Sequence, residues 1–297
     1  RRRANVQPRC STLIGGTVVS SINANALLSA LPASDRARID HLCEKVELAQ
    51  DQLLVETGEP ISNVYFPLDS FILLLTAADG HNALGVGLIG NEGILGASLA
   101  FGVEVSPFRA IVQGEGSALR MSTADFKRVL DESPALERRI RQQLFLTLSQ
   151  TASTAACAVG HLVDVRLACW LLMIHDRVDA DRFYLTHDRI ARMLGVRRSG
   201  VTTAAGVLQR RKLIAYTRGG IAILNRAGLE MASCGCYRKG RALSRQIGVT
   251  APAGDLAINT ALTLYRAEGS WHGRPYDPSA ARLTGGRPRA VLLTWTA

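Results

Sequence analysis

LTHDRIARMLGVRRSGVTTAAGVLQRRKLI, residues 185–214, holds two runs of apolar residues at helical spacing with a glycine between them. Thr186 suits the N-cap of a helix whose inner face is Ile190, Ala191 and Leu194. Gly195 ends that helix by supplying the positive φ of a tight turn. Val196 packs under the turn, and a second helix starting near Arg197 buries Val201, Ala204 and Leu208. With His187 as the first position, Ala191 is fifth, Gly195 ninth, Val196 tenth, Val201 fifteenth and Ala204 eighteenth. That spacing is a helix-turn-helix: a small fifth residue lets the helices cross closely, and the last three apolar positions hold the pair together.

The second helix of such a pair enters the DNA major groove with its N-terminal residues toward base edges. Arg197, Arg198 and Ser199 stand there, with Thr202 and Thr203 one turn later. Arginine can donate two hydrogen bonds to guanine, worth about 1–3 kcal/mol of discrimination. Paired arginines at a helix start oppose the dipole, and Gly200 and Gly206 lower helix propensity. Those costs make sense if phosphates neutralise the site. Thr186, at the start of the first helix, suits a phosphate contact. RRKLIAYTRGGIAILN, residues 210–225, then reads as strand, Gly219-Gly220 turn and strand. It is a wing with Arg218 at its tip for a backbone phosphate.

Charge placement agrees. The 297 residues carry a formal net charge of +10, and residues 185–226 hold nine basic side chains against Asp188 alone. A mildly acidic body thus carries one compact basic block, which points to a polyanion, double-stranded DNA, as partner. No segment reads as a membrane span: the most apolar region, residues 84–103, is broken by Asn91, Glu92 and several glycines. The opening RRRANVQPRCSTLIGG lacks the long apolar core of a secretory signal. Six cysteines, mostly alone in apolar runs, suit reduced thiols, so a cytoplasmic location is expected.

Residues 1–21 read as a flexible arm. In 22–49, Ser34 with Asp35 is a candidate cap for a helix with Ile39, Leu42 and Val46 on one face. From Asp51 to Leu119, short apolar runs parted by Gly, Pro, Asp and Asn predict an antiparallel β-barrel or jelly roll, with ADGHN (78–82) as a hairpin turn. Ser122 or Thr123 caps a following helix, and Pro134 opens a long one. On the long helix Leu136, Ile140, Leu144, Leu148 and Ala152 lie four apart, and Ala155, Ala156 and Val159 extend the stripe. Packing within the chain would account for it, and so would pairing with a twin helix in a homodimer. DVRLACWLLMIHDRV, residues 164–178, is another amphipathic helix, and residues 237–297 read as a disordered tail. The fold expected is α+β. A sensor β-barrel spans 22–132, a dimerisation helix 133–160, and a winged helix-turn-helix 161–236.

On these residues the chain resembles the Crp/Fnr family of bacterial transcription regulators, over about residues 22–236. The match is strongest in the opening stretch and in the wing TRGGIAILNRAGLE, residues 217–230. CGCY, residues 234–237, resembles the end of one bacterial branch. The resemblance puts Arg198 at the family's commonest base-reading position and Thr186 at its phosphate contact. Ser199 stands where many members carry a base-reading Glu, and Thr203 where some carry Arg, which implies a different target sequence. It also implies a cyclic-nucleotide-type sensor domain. In GILGASLAFGVEVSPFRAIV, residues 93–112, however, Gly96 is followed by Ala97 rather than Glu. Phe108 fills the phosphate-binding Arg position, with Arg109 one place late. That argues against cyclic AMP and leaves the small-molecule effector unknown, with Gly96 and Arg109 as candidate contacts.

Other chemistry is weak. Only Cys10 and Cys43 precede residue 100, too few for an N-terminal iron–sulfur cluster. Cys234 and Cys236 are close enough to share a metal, but two thiolates without a nearby His are weak evidence for a site. Redox sensing by Cys157 or Cys169 is set against their reading as inert buried packing. No nucleophile–base set, phosphate loop or carboxylate pair indicates an enzyme, and no cofactor or metal is expected. The expectation is a homodimeric regulator reading a near-palindromic operator, gated by a signal at the barrel, with RNA polymerase as a further partner. A constitutive DNA binder with a purely structural barrel, or a regulatory subunit of a cyclic-nucleotide-controlled enzyme, are the alternatives.

Overall fold

A computed structural model describes residues 21–76, 83–178, 180–217 and 219–248. The predicted arm, the ADGHN turn, Arg218 and the tail from residue 249 lie outside the described residues.

After a 3-10 turn, Ser21–Ala24, come α1 (Ala26–Ser29) and α2 (Ala33–Leu42). Asn25 caps α1 through its side chain, and its amide also donates to the carbonyls of Pro67 and Gly93. One buried polar residue thereby fastens the N-terminal helices to the sheets. The expected cap of α2 is corrected: Pro32 precedes the helix, and Asp35 instead accepts from Ser133, at 2.5 Å. Val46 lies not on α2 but in the first strand.

The strands are β1 (Glu44–Leu48), β2 (Leu53–Val55), β3 (Asn63–Pro67), β4 (Phe71–Thr76), β5 (Leu84–Ile89), β6 (Arg109–Gly114) and β7 (Gly116–Ser122). They form two antiparallel sheets, ordered β1-β7-β3 and β2-β6-β4-β5. Val64, Phe66, Ile72, Leu74, Val86 and Leu119 share the core between them. The run FILLLT in β4 does not alternate in polarity because both its faces are covered. Ile72 and Leu74 enter this core, whereas Phe71, Leu73 and Leu75 enter a second core with Trp170, Leu171 and Leu194.

Ser122 caps α3 (Thr123–Glu132), and Ser133 caps α4 (Pro134–Gly160), with Pro134 in its first turn. Each such cap is worth about 1 kcal/mol. α5 (Val163–His175) leads through β8 (Arg182–Tyr184) to α6 (His187–Leu194), α7 (Arg198–Arg210), β9 (Ile214–Thr217), β10 (Gly220–Ile223) and α8 (Arg226–Ala232). The wing is a three-stranded sheet, β8-β10-β9, so β8 adds a strand to the predicted pair.

Residues 237–248 correct the expectation of a disordered tail. They belong to α9 (Gly235–Ile247) and its C-cap Gly248, and α9 packs on α4 and α5. Tyr237 is buried and donates to Asp176, which also pairs with Arg226 at 2.5 Å. At the far end of α9, the Gly248 carbonyl accepts from Arg139 of α4 at 3.0 Å. Among the described residues no helix is long and apolar enough to cross a membrane.

Candidate nucleic-acid interface

Thr186 accepts from the Arg189 backbone N–H and opens α6, as its sequence suggests. Gly195 ends the helix at φ 61°, in the left-handed region that only glycine enters without strain. α7 then starts at Arg198 with Arg197 as N-cap and no side-chain cap bond. Its inner side, Val201, Ala204, Ala205 and Leu208, is buried with Ile190, Leu194 and Leu213.

The outer side of α7 is open. Arg197, Arg198, Ser199, Thr202 and Thr203 are all exposed. The Arg198 side chain is 70% exposed, and its nearest acid is Asp188 at 3.7 Å. So weak a pair at the surface contributes little and is readily exchanged. The Thr203 hydroxyl donates to the Ser199 carbonyl, and the Thr202 oxygen lies 3.2 Å from the Arg198 carbonyl and 3.1 Å from His187 Nδ1. These back-bonds use the hydroxyl protons. What remains for a groove is a methyl group and oxygen lone pairs.

A supporting layer stands behind this row. The His187 ring stacks on Tyr216 of β9, centroids 4.3 Å apart. Burial, and then the nearby Arg198 charge, hold the His187 pKa below its usual value. Burial also raises the Tyr216 phenol. The sequence pattern did not single out His187 or Tyr216 for this role, because the ring pair joins residues on separate elements. Arg192, Arg210, Arg211 and Lys212 add exposed positive charge around α7.

The candidate sensor residues lie apart from one another in role. Gly96 takes φ 101°, and a Cβ there would come within 2.7 Å of Val64, so the fold itself demands glycine. Arg109, at the start of β6, pairs with Glu56 at 3.4 Å on the surface.

The predicted stripe of α4 divides between two faces. Leu136 and Ile140 are fully buried in the barrel core, and Leu144 packs against it, so these three face inward. Leu148, Ala152 and Ala155 are exposed, along with Phe145, Val159 and, just past the helix, Leu162. The expected single seam through Leu136, Ile140 and Leu144 is therefore corrected: it mixes an inner face with an outer one.

Residues 165–232 match the Crp-like helix-turn-helix domain family. The nitrogen fixation regulation protein FixK of Bradyrhizobium diazoefficiens is 25% identical over 218 residues, 71% of this chain and 90% of FixK. The solved structure of FixK2 from Bradyrhizobium japonicum superposes with a TM-score of 0.56 at 14% identity, over 65% of this chain and 98% of that one. A Crp/Fnr-family transcriptional regulator from Eubacterium rectale gives a TM-score of 0.55 at 15% identity, over 71% and 98%. These similarities meet the exposed arginine row of α7 in one conclusion: residues 165–232 form a Crp-like helix-turn-helix DNA-binding domain, in a chain similar to Crp/Fnr transcription regulators.

Proposed function

We propose that two copies of this chain read a near-palindromic operator, each placing α7 in a major groove, and that the state of the β-sandwich controls the grip. One observation carries the reading of bases. Arg198, Ser199, Thr202 and Thr203 form a continuous exposed row directly opposite the buried row Val201, Ala204, Ala205 and Leu208. In this reading Arg198 donates to guanine, while Thr202 and Thr203 offer methyls to thymine or lone pairs to a cytosine amino group. Thr186 and Arg197 contact phosphates, as would Arg218.

The second copy is supported by the outer face of α4. Phe145, Leu148 and Val159 are 53%, 68% and 93% exposed. With Ala152 and Ala155 between them, they repeat at alternating steps of three and four, the seam of a coiled coil. Two such helices about a two-fold axis would set the recognition helices about 34 Å apart, one turn of DNA.

Control from the sandwich is supported by its direct contacts with the helix-turn-helix. Glu92, following β5, pairs with Arg177, following α5, at 2.6 Å, and both are nearly buried. Asp51, between β1 and β2, pairs with Arg189 of α6 at 2.6 Å. β5 also packs directly on α6, so a signal that shifts β5 would be felt there. The effector is a small molecule other than cyclic AMP, and RNA polymerase is the downstream partner.

Selection of bound sequences from a random DNA pool tests the core of this reading. The expected product is two inverted half-sites with a strong guanine preference, spaced by one helical turn. A pool enriched for no sequence would refute direct readout.

A further inference from the structure

Four residues from two distant segments of the chain meet where α4 ends and α9 begins. Cys157 lies on the last turn of α4. His161 caps that helix, its N–H donating to the Cys157 carbonyl at 3.1 Å. One helical turn apart, the two side chains share a face. Cys234 is the N-cap of α9, and Cys236 lies in its first turn. The three sulfurs and an imidazole nitrogen of His161 all lie within 4.8 Å of one another. Cys157 Sγ is 3.4 Å from Cys234 Sγ. Cys169 of α5 brings a fifth donor, its sulfur 3.2 Å from that of Cys234.

The spacing suits a shared ion. Zinc bonds sulfur at about 2.3 Å, so ligand atoms on a tetrahedron around it stand roughly 3.8 Å apart. Cys157 and Cys234 need only a small outward shift to reach that separation. Three thiolates and an imidazole are the donor set that borderline-soft, tetrahedral ions prefer. The charge balance is favourable as well. Arg166, buried on α5, interacts electrostatically with Cys157. It would offset the single negative charge left when three thiolates surround a divalent ion. The burial of Cys157 and Cys234, beside exposed His161, gives a closed floor and a solvent-facing entry.

We propose that Cys157, His161, Cys234 and Cys236 bind a structural zinc-class ion, with the Cys169 thiol donating a hydrogen bond to the Cys234 sulfur. On binding, each coordinating thiol releases its proton to solvent. The ion would bolt the last helix of the DNA-binding domain to the end of α4, beside the joint where α4 hands over to α5. The site stands on its own geometry. Its further effect, that metal loading fixes the angle between α4 and the helix-turn-helix, rests on the function proposed above.

The test uses the full chain, purified reduced and dialysed against metal-free buffer. About one zinc ion per chain is expected by elemental analysis. Cobalt(II) in its place should give the intense visible bands of a tetrahedral thiolate site with sulfur-to-cobalt charge transfer. His161→Asn and Cys236→Ser should each weaken zinc binding by more than the roughly 10–100-fold that loss of an outer partner costs. Cys43→Ser, in the N-terminal part of the chain where α2 ends, should leave binding unchanged. His161→Cys guards against misfolding: it should keep one ion and shift the cobalt bands toward those of a four-sulfur site. Metal that a mild chelator strips completely, with no sulfur-to-cobalt band, would overturn the proposal. So would a Cys157–Cys234 or Cys169–Cys234 disulfide in the freshly purified protein, which would make the cluster a dithiol switch. Loss of the ion in Cys169→Ser but not in His161→Asn would overturn the assignment of His161. None of these readouts involves DNA, so they stand or fall apart from operator binding.

Discussion

Gly85 of β5 lies against the backbone of Met193 on α6: a Cβ at Gly85 would stand 2.8 Å from the Met193 carbonyl oxygen. It would also come within 3.0 Å of the Trp170 ring. A ring can tilt, but a helical carbonyl cannot retreat without moving its helix. The absence of a side chain at Gly85 is thus what lets the sandwich and the helix-turn-helix close on one another. Gly85→Val should push α6 off β5, costing about 1–3 kcal/mol by overpacking. Hydrogen exchange should rise in α6 and β5 before it rises in β3 or β7. A variant with wild-type stability and unchanged exchange would show that the two parts do not meet at this point.

Arg198→Ala should weaken binding to the selected operator by about 1–3 kcal/mol while changing affinity for random DNA much less. The distinction matters because Arg198 also adds one positive charge to a basic surface. A phosphate contact would lose affinity equally on all sequences and lower the salt slope by about one. Titrations on operator and scrambled duplexes at two salt concentrations separate these cases. Equal loss on both duplexes would move Arg198 from reading bases to gripping the backbone.

For the outer face of α4, the informative substitution is Leu148→Asp. Leu148 is 68% exposed, so the change costs the single chain little. Across a coiled-coil seam it would bury a charge against its twin. Sedimentation should show monomers with a native circular dichroism spectrum. Ile140→Asp, by contrast, should unfold the sandwich, because Ile140 is fully buried in its core. A Leu148→Asp dimer of normal affinity would remove the helix seam.

The helix-turn-helix was legible because its signals are local: Thr186, Gly195 and the spacing of Val201, Ala204 and Leu208 all lie within one stretch. The antiparallel sheets were legible for the same reason, from short runs and turn residues. What escaped depends on contacts between distant segments. FILLLT reads simply as apolar, and nothing in it says that Leu73 meets Trp170 while Ile72 meets the sandwich core. The four-residue spacing from Leu136 to Ala152 follows one stripe that winds from the inner face to the outer. A heptad count started at Phe145 would have separated them. Cys157 and Cys234 are 77 positions apart, so their meeting has no sequence signature. α9 was lost to its composition: it is rich in Arg, Lys and Gly, and Tyr237 is the one residue within it that is buried.

His187 should make the stability of the DNA-binding domain depend on pH. Its ring is stacked on Tyr216, and its Nε2 is buried without a hydrogen-bond partner. Burial and the Arg198 charge hold its pKa below the ordinary 6.5, so the unfolded chain takes up the proton more readily than the folded one. The stability that this group contributes is therefore complete above pH 6.5 and is lost as pH falls through the depressed value. Denaturant titrations between about pH 7 and about pH 5 should show that decline. His187→Phe keeps a ring on Tyr216 but cannot titrate, and its stability should fall less over the same range. If wild type and His187→Phe lose stability in parallel, the decline belongs to other groups and the neutral imidazole has no part in holding α7 to β9.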